Sequence, residues 1–357
     1  MHCNSQPRLY SWHNGKRSYR FQAGVTIAIN YLTQHRALIK MHYTTLGRTQ
    51  LRVSAAGLGC GGSSRLGQQQ GMNEQHSIDV VKRAIDLGVN FIDTAMVYGT
   101  EEIVGKAVKG QRDRVVISSK ARIIQCGAAV DGEELCTSTD YGKRLDGCLQ
   151  RLGTDYIDIF HLHGVMAHQL DYCVEQLVPA LQRARDQGKI RFIGLTERFI
   201  HDTTHQALLK ALGYDCFDVF MVGFNLLNFS ARRQALAITR QHNIGTLCMF
   251  ALRRALSNET VLMETLRRAV DGGQLSPQVL TANPLAWLVE QGYASSLTDA
   301  AYRFCRHEPG INVVLTGTGN IEHLESNIAS INEPPLAPTA QQRIETLFGA
   351  VDCVSGN

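Results

Sequence analysis

Residues 152–163 have the sequence LGTDYIDIFHLH, in which a glycine turn leads into a mostly apolar run. The same joint recurs at Gly88 and at Gly188, where an amphipathic helix ends and a short apolar run follows. Glycine commonly ends a helix, and short apolar runs bounded by turns are typical of strands buried on both faces. The repeat therefore predicts helices that alternate with the strands of a parallel sheet.

The repeated unit predicts eight strands. Their expected bounds are Val53–Leu58, Phe91–Asp93, Val115–Ser119, Tyr156–His163, Ile190–Leu195, Val219–Phe224, Gly245–Phe250 and Asn312–Thr316. Eight βα units of this kind favour a closed α/β architecture, the (β/α)8 TIM barrel. A doubly wound open sheet is the alternative.

Two further elements are predicted around the barrel. Residues 43–46 and 51–53 flank a four-residue turn and indicate an N-terminal β-hairpin that closes the barrel floor. The spacing between the last two strands is much longer than the others, so the seventh strand is followed by an insertion over about residues 256–296. In a barrel, this insertion lies on the catalytic face, and Trp287 within it is a candidate aromatic wall.

The front of the chain differs in charge from the rest. The first acidic residue is Glu74, and nine Lys or Arg precede it. Such composition is typical of an organelle transit peptide; the alternative is that Met41 is the true start. We expect residues 1–40 to be a poorly ordered extension, followed by the barrel over residues 41–350 and a C-terminal tail over residues 351–357.

Composition excludes several classes of protein. The chain has 357 residues, of which 44% are hydrophobic and 19% charged, with a formal net charge of +4. This is too apolar for a largely disordered chain, and no stretch approaches the roughly 18 apolar residues of a membrane span. Ten scattered cysteines indicate free thiols and a cytoplasmic location. No metal-ligand spacing or nucleic-acid-binding pattern stands out, so no metal, nucleic acid or membrane partner is expected.

A glycine-rich segment imitates a dinucleotide-binding fingerprint. Residues 57–62 match GxGxxG, but that motif requires a helix to open at the third glycine. Here a Ser/Gln/Gly-rich stretch follows, and helical periodicity starts only near Glu74. The segment is better explained as a flexible loop at the barrel mouth that lets a ligand approach the backbone at Gly61 and Gly62.

Four residues at strand ends suggest a chemistry. Asp93 ends the second strand, Tyr98 lies five residues further on, Lys120 follows the third strand and His163 ends the fourth. Catalytic residues of barrels occupy such positions. Asp93 and Lys120 on adjacent strands are expected to pair, because buried charges are costly when unpaired. Each residue also has a structural explanation, such as a helix N-cap for Asp93, and His161 is interpreted as a hydrogen-bonded core histidine.

This set suits proton donation to a carbonyl oxygen. A nearby ammonium lowers the pKa of a tyrosine hydroxyl from its ordinary value near 10. A neutral histidine can hydrogen-bond the carbonyl oxygen. None of these side chains supplies hydride, so a reduction requires a nicotinamide cofactor.

The motifs resemble those of the aldo-keto reductase superfamily, over roughly residues 41–348. Residues 91–99 (FIDTAMVYG) resemble its Asp/Tyr motif, residues 116–120 its lysine strand and residues 155–163 its histidine strand. The family fold is a (β/α)8 barrel.

The resemblance implies NAD(P)H-dependent carbonyl reduction or the reverse oxidation. It implies Tyr98 as acid/base, Lys120 and Asp93 as the groups that tune it, and His163 as the residue that orients a small carbonyl or alcohol substrate. The family often has a bulky Trp after its histidine, where this chain has Gly164.

The cofactor positions depart from the family pattern. Thr196 and Glu197 stand where the family usually has Ser-Asn, Met221 replaces a Gln, and Met249, next to Phe250, replaces a stacking aromatic residue. The predicted cofactor contacts are Gly61, Gly62, Thr196, Glu197, Met221, Met249, Phe250, Leu252, Gly317, Thr318, Gly319, Asn320, His323 and Asn327.

The identity of the cofactor stays open between NADP(H) and NAD(H). The family leans toward NADP(H), but residues 317–327 contain no Lys or Arg to bind a 2′-phosphate. Arg198, Arg253 and Arg254 are further candidate contacts of cofactor or substrate, and Arg198 is interpreted as a solvated loop residue.

Three functions follow as hypotheses. The first is a carbonyl-reducing oxidoreductase. The second is a cofactor-binding regulatory subunit with little turnover, because the positions of Thr196, Met221 and Met249 are altered. The third is a barrel aldolase with Lys120 as Schiff base. The substrate, the reaction direction and the oligomeric state do not follow from the sequence.

Overall fold

The computed structural model describes residues 40–129, 131–281 and 283–357. Its strands are β1 (Tyr43–Thr45), β2 (Arg52–Ser54), β3 (Ala56–Gly59), β4 (Phe91–Asp93), β5 (Val116–Arg122), β6 (Ile157–Val165), β7 (Ile190–Glu197), β8 (Val219–Gly223), β9 (Gly245–Met249) and β10 (Val313–Thr316). Strands β3 to β10 are parallel and close into a barrel in the order β10-β3-β4-β5-β6-β7-β8-β9. The predicted TIM barrel is confirmed. The predicted extension lies outside the described residues, apart from Lys40.

Helices alternate with the barrel strands. They are α1 (Glu74–Asp86), α2 (Glu101–Val108), α3 (Ser138–Leu152), α4 (Leu170–Tyr172), α5 (Val178–Asp186), α6 (Gln206–Ala211), α7 (Ala237–Gln241), α8 (Glu259–Asp271), α9 (Trp287–Glu290), α10 (Leu297–Arg306), α11 (Ile321–Asn332) and α12 (Pro338–Phe348). Two π-helical turns, Cys173–Leu177 and Arg232–Leu236, run into α5 and α7. In the described ranges, no helix is both long and apolar enough to cross a membrane.

The N-terminal hairpin closes the floor of the barrel. Strands β1 and β2 pair antiparallel, with Tyr43 opposite Ser54. Leu46, Leu51 and Val53 are buried in the core. They join side chains from the strands around the barrel, namely Phe91, Val116, Ile159, Val219, Met221, Leu247 and Val313. The predicted hairpin and its position are thus confirmed.

The run Val53–Leu58, predicted as one strand, is divided in two. Val53 and Ser54 belong to the hairpin strand β2, and the barrel strand β3 starts only at Ala56. Asn90 holds the bend between them, because its Oδ1 accepts a hydrogen bond from the backbone N–H of Ser54 at 2.6 Å. The sequence pattern missed this break because both halves are buried and apolar.

Strands β5, β6 and β7 extend beyond their predicted ends. Lys120, expected after its strand, and His163, expected at the end of its strand, therefore both lie inside strands. Arg122 pairs in register with His163. The three strands are neighbours, so each extension supplies hydrogen-bond partners for the next. The backbone at Lys120 and His163 is therefore held in place by hydrogen bonds to the neighbouring strands.

The segment that contains the predicted insertion forms α8 and α9. Ser257 near its start lines the central cavity. Trp287, the candidate aromatic wall, does not line that cavity; it is buried elsewhere, with the Arg343 guanidinium 4.1 Å from its ring centroid. The C-terminal residues pack back on the barrel, where the side-chain amide of Asn228 donates to the carbonyl oxygen of Val354 at 2.9 Å.

Candidate active site

A cavity of about 610 Å³ opens where the barrel strands end. All four of the predicted catalytic residues, Asp93, Tyr98, Lys120 and His163, line it. They come from β4, β5, β6 and the turn after β4, and these three strands are neighbours in the barrel. The topology therefore brings together residues that are up to 70 positions apart in sequence.

Asp93 and Lys120 form a buried ion pair beside this cavity. Nζ of Lys120 donates to the two carboxylate oxygens of Asp93 at 2.6 and 2.7 Å, and to the carbonyl oxygen of Thr94 at 2.9 Å. Burial lowers the pKa of Lys120, but the negative charge of Asp93, the interaction with Tyr98 and the hydrogen bond to Asp93 outweigh it, so the pKa is raised. The predicted pairing is confirmed, and the amine is protonated at neutral pH.

Tyr98 is held against the backbone of the glycine-rich loop. It ends the 3₁₀ turn Met96–Tyr98 that follows β4, and Nζ of Lys120 lies 5.2 Å from the centroid of its ring. A Cβ atom on Gly61 would lie 2.5 Å from Cε2 of Tyr98. Gly61 is therefore needed for the packing of Tyr98, a reason that differs from the ligand approach predicted from the sequence.

The pKa of Tyr98 departs from its ordinary value in the direction opposite to that expected. Burial of Tyr98 raises this pKa; the positive charges of Lys120 and Arg253 lower it, and the negative charge of Asp93 raises it. The predicted influence of Lys120 has the right sign, but the predicted net lowering is wrong because burial disfavours the phenolate more strongly. The phenol therefore keeps its proton at neutral pH.

His163 meets the ring of Tyr98 edge to face. The ring centroids are 5.8 Å apart and the planes make an angle of 88°. Burial and the charges of Lys120 and Arg122 lower the pKa of His163 well below its ordinary value, so the imidazole is neutral. Its Nδ1 is buried without a hydrogen-bond partner among the residues that the structure describes.

Sequence reasoning missed Ser118 as part of this network. Its hydroxyl donates to Oδ1 of Asp93 at 2.8 Å and lies 3.1 Å from Nε2 of His161. Since the single hydroxyl proton goes to Asp93, Nε2 of His161 is the donor of the second bond. The alternation of side chains along a strand places Ser118 on the face of Lys120, and this signal could have found it.

His161 is a fully buried core histidine, as predicted. Its ring fits because the neighbouring strand carries a glycine: a Cβ atom on Gly194 would lie 2.2 Å from Nδ1 of His161. Burial and the charge of Lys120 lower its pKa well below the ordinary value. His161 thus supports the network through Ser118 as a neutral donor.

The end of β7 carries two of the predicted cofactor contacts. Oγ1 of Thr196 accepts a hydrogen bond from the backbone N–H of Gly164 at 2.7 Å, which leaves its hydroxyl proton for a ligand. The carboxylate of Glu197 is already engaged. Each of its oxygens lies 3.0 Å from Nδ1 of buried His205, and Oε1 also accepts a hydrogen bond from the backbone N–H of Gly223 at 2.6 Å.

Strands β8 and β9 bring further predicted contacts to the cavity wall. Phe250 has φ of +70°, a left-handed conformation that is strained for a non-glycine residue. Its ring lies under the guanidinium of Arg253, 3.8 Å from ring centroid to Cζ. The predicted cofactor residues that line the cavity are Gly61, Gly62, Thr196, Glu197, Met221, Met249, Phe250, Leu252 and Gly317.

The loop after β10 only partly reaches this cavity. Gly317 lines it, whereas Thr318, Gly319, Asn320, His323 and Asn327 do not. Asn320 caps α11 by accepting from the N–H of His323 at 2.9 Å, and the amide of Asn327 donates to Oγ1 of Thr316 at 3.0 Å. These two side chains are committed to the protein; contacts of this loop with a cofactor stay predictions.

The wall near this loop fits an anionic dinucleotide. Nε of Arg253 is buried without a hydrogen-bond partner in the described part of the chain. Its Nη1 lies close to Gly62, 3.8 Å from the position that a Cβ atom there would occupy. Arg65 and Arg254 line the same cavity. Residues 317–327 contain no Lys or Arg, but arginines from other loops, Arg65, Arg253 and Arg254, place positive charge in the cavity wall.

Other chemistries have less support. Within residues 40–129, 131–281 and 283–357, no group of three or more His, Cys, Asp or Glu side chains is placed to hold a metal ion. The nine cysteines described are unpaired thiols. The GxGxxG segment leads into a 3₁₀ turn at Arg65–Gln70 instead of a helix, and the sheet is a closed barrel.

Comparisons with known proteins agree with this geometry. The model of the aldo/keto reductase family matches residues 58–347. L-galactose dehydrogenase from Arabidopsis thaliana is 28% identical over 304 residues, which cover 83% of this chain and 90% of that protein.

Solved structures share the fold at lower sequence identity. The holo form of an aldo-keto reductase from Bacillus halodurans has a TM-score of 0.65 at 21% identity, covering 87% of this chain and 97% of that one. An aldo/keto reductase from Klebsiella pneumoniae, solved with NADP and acetate, has a TM-score of 0.62 at 22% identity, covering 87% and 96%.

Proposed function

Because the chain belongs to the aldo/keto reductase family, we propose that it is an NAD(P)H-dependent oxidoreductase that reduces an aldehyde or ketone, or oxidises the alcohol, with Tyr98 as general acid/base. The observation that carries this proposal is the buried Asp93–Lys120 pair next to the phenol of Tyr98, with His163 against the same ring. The four groups share one cavity. The predicted cytoplasmic location accompanies the proposal and rests on the unpaired thiols.

Each side chain has a defined role in this proposal. Neutral His163 donates a hydrogen bond to the carbonyl oxygen and orients it. Protonated Tyr98 gives its proton to that oxygen as negative charge develops there. Lys120 stabilises the phenolate that remains, and Asp93 keeps the ammonium charged and in place. When bound, a reduced nicotinamide supplies the hydride.

The cofactor is proposed as NADP(H) or NAD(H). Arg253, with its buried partnerless Nε, and the N-terminus of α11 supply the positive potential that a pyrophosphate requires. The hydroxyl of Thr196 can donate a hydrogen bond to the nicotinamide carboxamide. The carboxylate of Glu197 is paired with His205 and is not free to bind the carboxamide. Binding titrations with NADPH and NADH measure the preference.

The aldolase hypothesis has little support. A Schiff-base lysine is activated by a lowered pKa, but the pKa of Lys120 is raised. Its ammonium is also held by three oxygen acceptors of Asp93 and Thr94. The regulatory-subunit hypothesis differs from the proposal only in turnover.

Steady-state kinetics test the proposal. NADPH or NADH oxidation is followed with a panel of aldehydes and ketones for the wild type, Tyr98→Phe and the control Tyr293→Phe. General acid catalysis contributes about 10²- to 10⁴-fold, so Tyr98→Phe should lose that factor in kcat while it still binds the cofactor. Full turnover in Tyr98→Phe would contradict its role, and cofactor binding without turnover in the wild type would favour the regulatory subunit.

A further inference from the structure

Two arginines flank His163 at the cavity mouth. Arg122 ends β5 and pairs in register with His163 on β6. Arg198 directly follows β7, and its Nη1 lies 3.7 Å from where Gly164 would carry a Cβ. Gly164, with φ of +70°, thus leaves room for the guanidinium beside the histidine. The interpretation of Arg198 as a solvated loop residue is wrong, because it is half-buried in the cavity wall.

Neither of these two positive charges has a carboxylate within ion-pair distance among the described residues. In the described ranges, neither Arg122 nor Arg198 forms an ion pair, and Nε of Arg198 is buried without a hydrogen-bond partner. The side-chain carboxylates that line the cavity, Asp93 and Glu197, are paired with Lys120 and His205. Burial and the charge of Arg122 lower the pKa of Arg198, and Asp131 opposes this only in part. Arg198 is half-buried and Arg122 is exposed, and their like charges repel each other, so an anionic ligand between them would relieve the repulsion.

The position of the pair separates it from the proposed cofactor-phosphate site. In the closed order of strands, β6 lies four places from β10 in either direction, hence directly across the barrel. The loop after β10 and the cations Arg253 and Arg254 after β9 are on the far side from Arg122. An anion between Arg122 and Arg198 would sit about one strand spacing, roughly 5 Å, from His163, and apolar Ile123, Ile124 and Ile200 line the same cavity.

We propose that Arg122 and Arg198 form a subsite for an anionic group on the carbonyl substrate, a carboxylate or a phosphate a few bonds from the reacting carbon. The inference rests on the proposed function, since it names the substrate class of that same site. Guanidinium groups bind both anions through charge-assisted, often paired hydrogen bonds. The preferred substrates are therefore anionic aldehydes or ketones.

Matched substrate pairs test the proposal. Succinic semialdehyde is compared with its methyl ester, and glyceraldehyde 3-phosphate with glyceraldehyde, so the two arms distinguish carboxylate from phosphate. For one of the pairs we expect the anion to be favoured in kcat/KM by about tenfold to hundredfold, as for a hydrogen-bonded charge. The preference should shrink at high ionic strength, because this site is open to solvent.

Variants assign that preference to the two arginines. Arg122→Gln and Arg198→Gln should each reduce the ratio of anionic to neutral kcat/KM toward one. Arg233→Gln, at an exposed arginine outside the cavity, is the control and should keep the wild-type ratio. Equal use of both members of each pair by the wild type, or an unchanged ratio in both cavity variants, would overturn the inference.

A binding measurement separates this inference from the proposed function. Thermal shift of the cofactor-free protein with succinate, with succinamide and with inorganic phosphate needs no turnover. We expect an anion to raise Tm in the wild type and less so in Arg122→Gln and Arg198→Gln, with succinamide inactive. If no carbonyl compound is turned over yet this pattern appears, the reductase proposal fails and the anion subsite stands. If turnover is found without any anion preference or shift, only the subsite fails.

Discussion

Replacing Gly61 by alanine should disable Tyr98 without removing any chemical group. The new Cβ would lie 2.5 Å from Cε2 and 2.6 Å from Cζ of the phenol ring, whereas ordinary contacts begin at 3.4 Å. The difference, 3.4 − 2.5 = 0.9 Å, is the shift that the ring must make. Displacement of a reacting group by about 1 Å can lower a rate about 100-fold, which corresponds to about 2.7 kcal/mol in the barrier.

The assay measures kcat for carbonyl reduction at saturating cofactor, together with the Kd of the cofactor and the free energy of unfolding. Gly59→Ala is the matched control, because a Cβ there would meet its nearest atom, the Thr316 carbonyl oxygen, at an ordinary 3.6 Å. We expect kcat to fall about 100-fold in Gly61→Ala and to change little in Gly59→Ala. Wild-type kcat in a folded Gly61→Ala protein, or equal losses in both variants, would refute the reasoning.

Two further predictions concern the buried charges. Asp93→Asn should lower the free energy of unfolding in urea by about 3 to 5 kcal/mol, because Lys120 is left buried without its counter-charge; exposed Asp155→Asn is the control, and a loss as small as the control's would contradict the prediction. Stability should also fall as pH rises above 6.5, the ordinary histidine pKa. Burial lowers the pKa of His205, but Glu197 raises it more, so the net pKa is raised. The contribution of the folded imidazolium is therefore complete below 6.5 and is lost as pH rises through the folded pKa. Urea unfolding across this range measures the fall, which Glu197→Gln should flatten; an unchanged slope in that variant would argue against this origin.

Local periodicity was sufficient to predict the barrel and its hairpin. The predicted strand bounds were accurate for Phe91–Asp93. They failed at β5 to β7, where pairing with a neighbour carries the strand past its apolar run to Arg122 and Glu197. Such an extension depends on pairing with a neighbouring strand that is distant in sequence, so a local pattern of residues cannot predict it.

The four candidate catalytic residues were found from their positions after apolar runs, but their energetics were not. The net pKa direction of Tyr98 follows from how deeply its hydroxyl is buried, and burial is a tertiary property. The partial burial of Arg198 is also a tertiary property, because it depends on the space that Gly164 leaves on the neighbouring strand. The local sequence around Arg198 therefore predicted only a solvated loop residue. The partnership of Ser118 with Asp93 was readable from strand alternation.

The fit between His161 and Gly194 has a consequence for how this sequence can diverge. A side chain at residue 194 overlaps the imidazole ring, since its first carbon would already lie 2.2 Å away. A smaller residue at 161 alone would leave a void in the barrel. Each single mutation is therefore harmful while the double one can be neutral, so among homologues these two sites should covary, with bulk on one strand exchanged for bulk on the other.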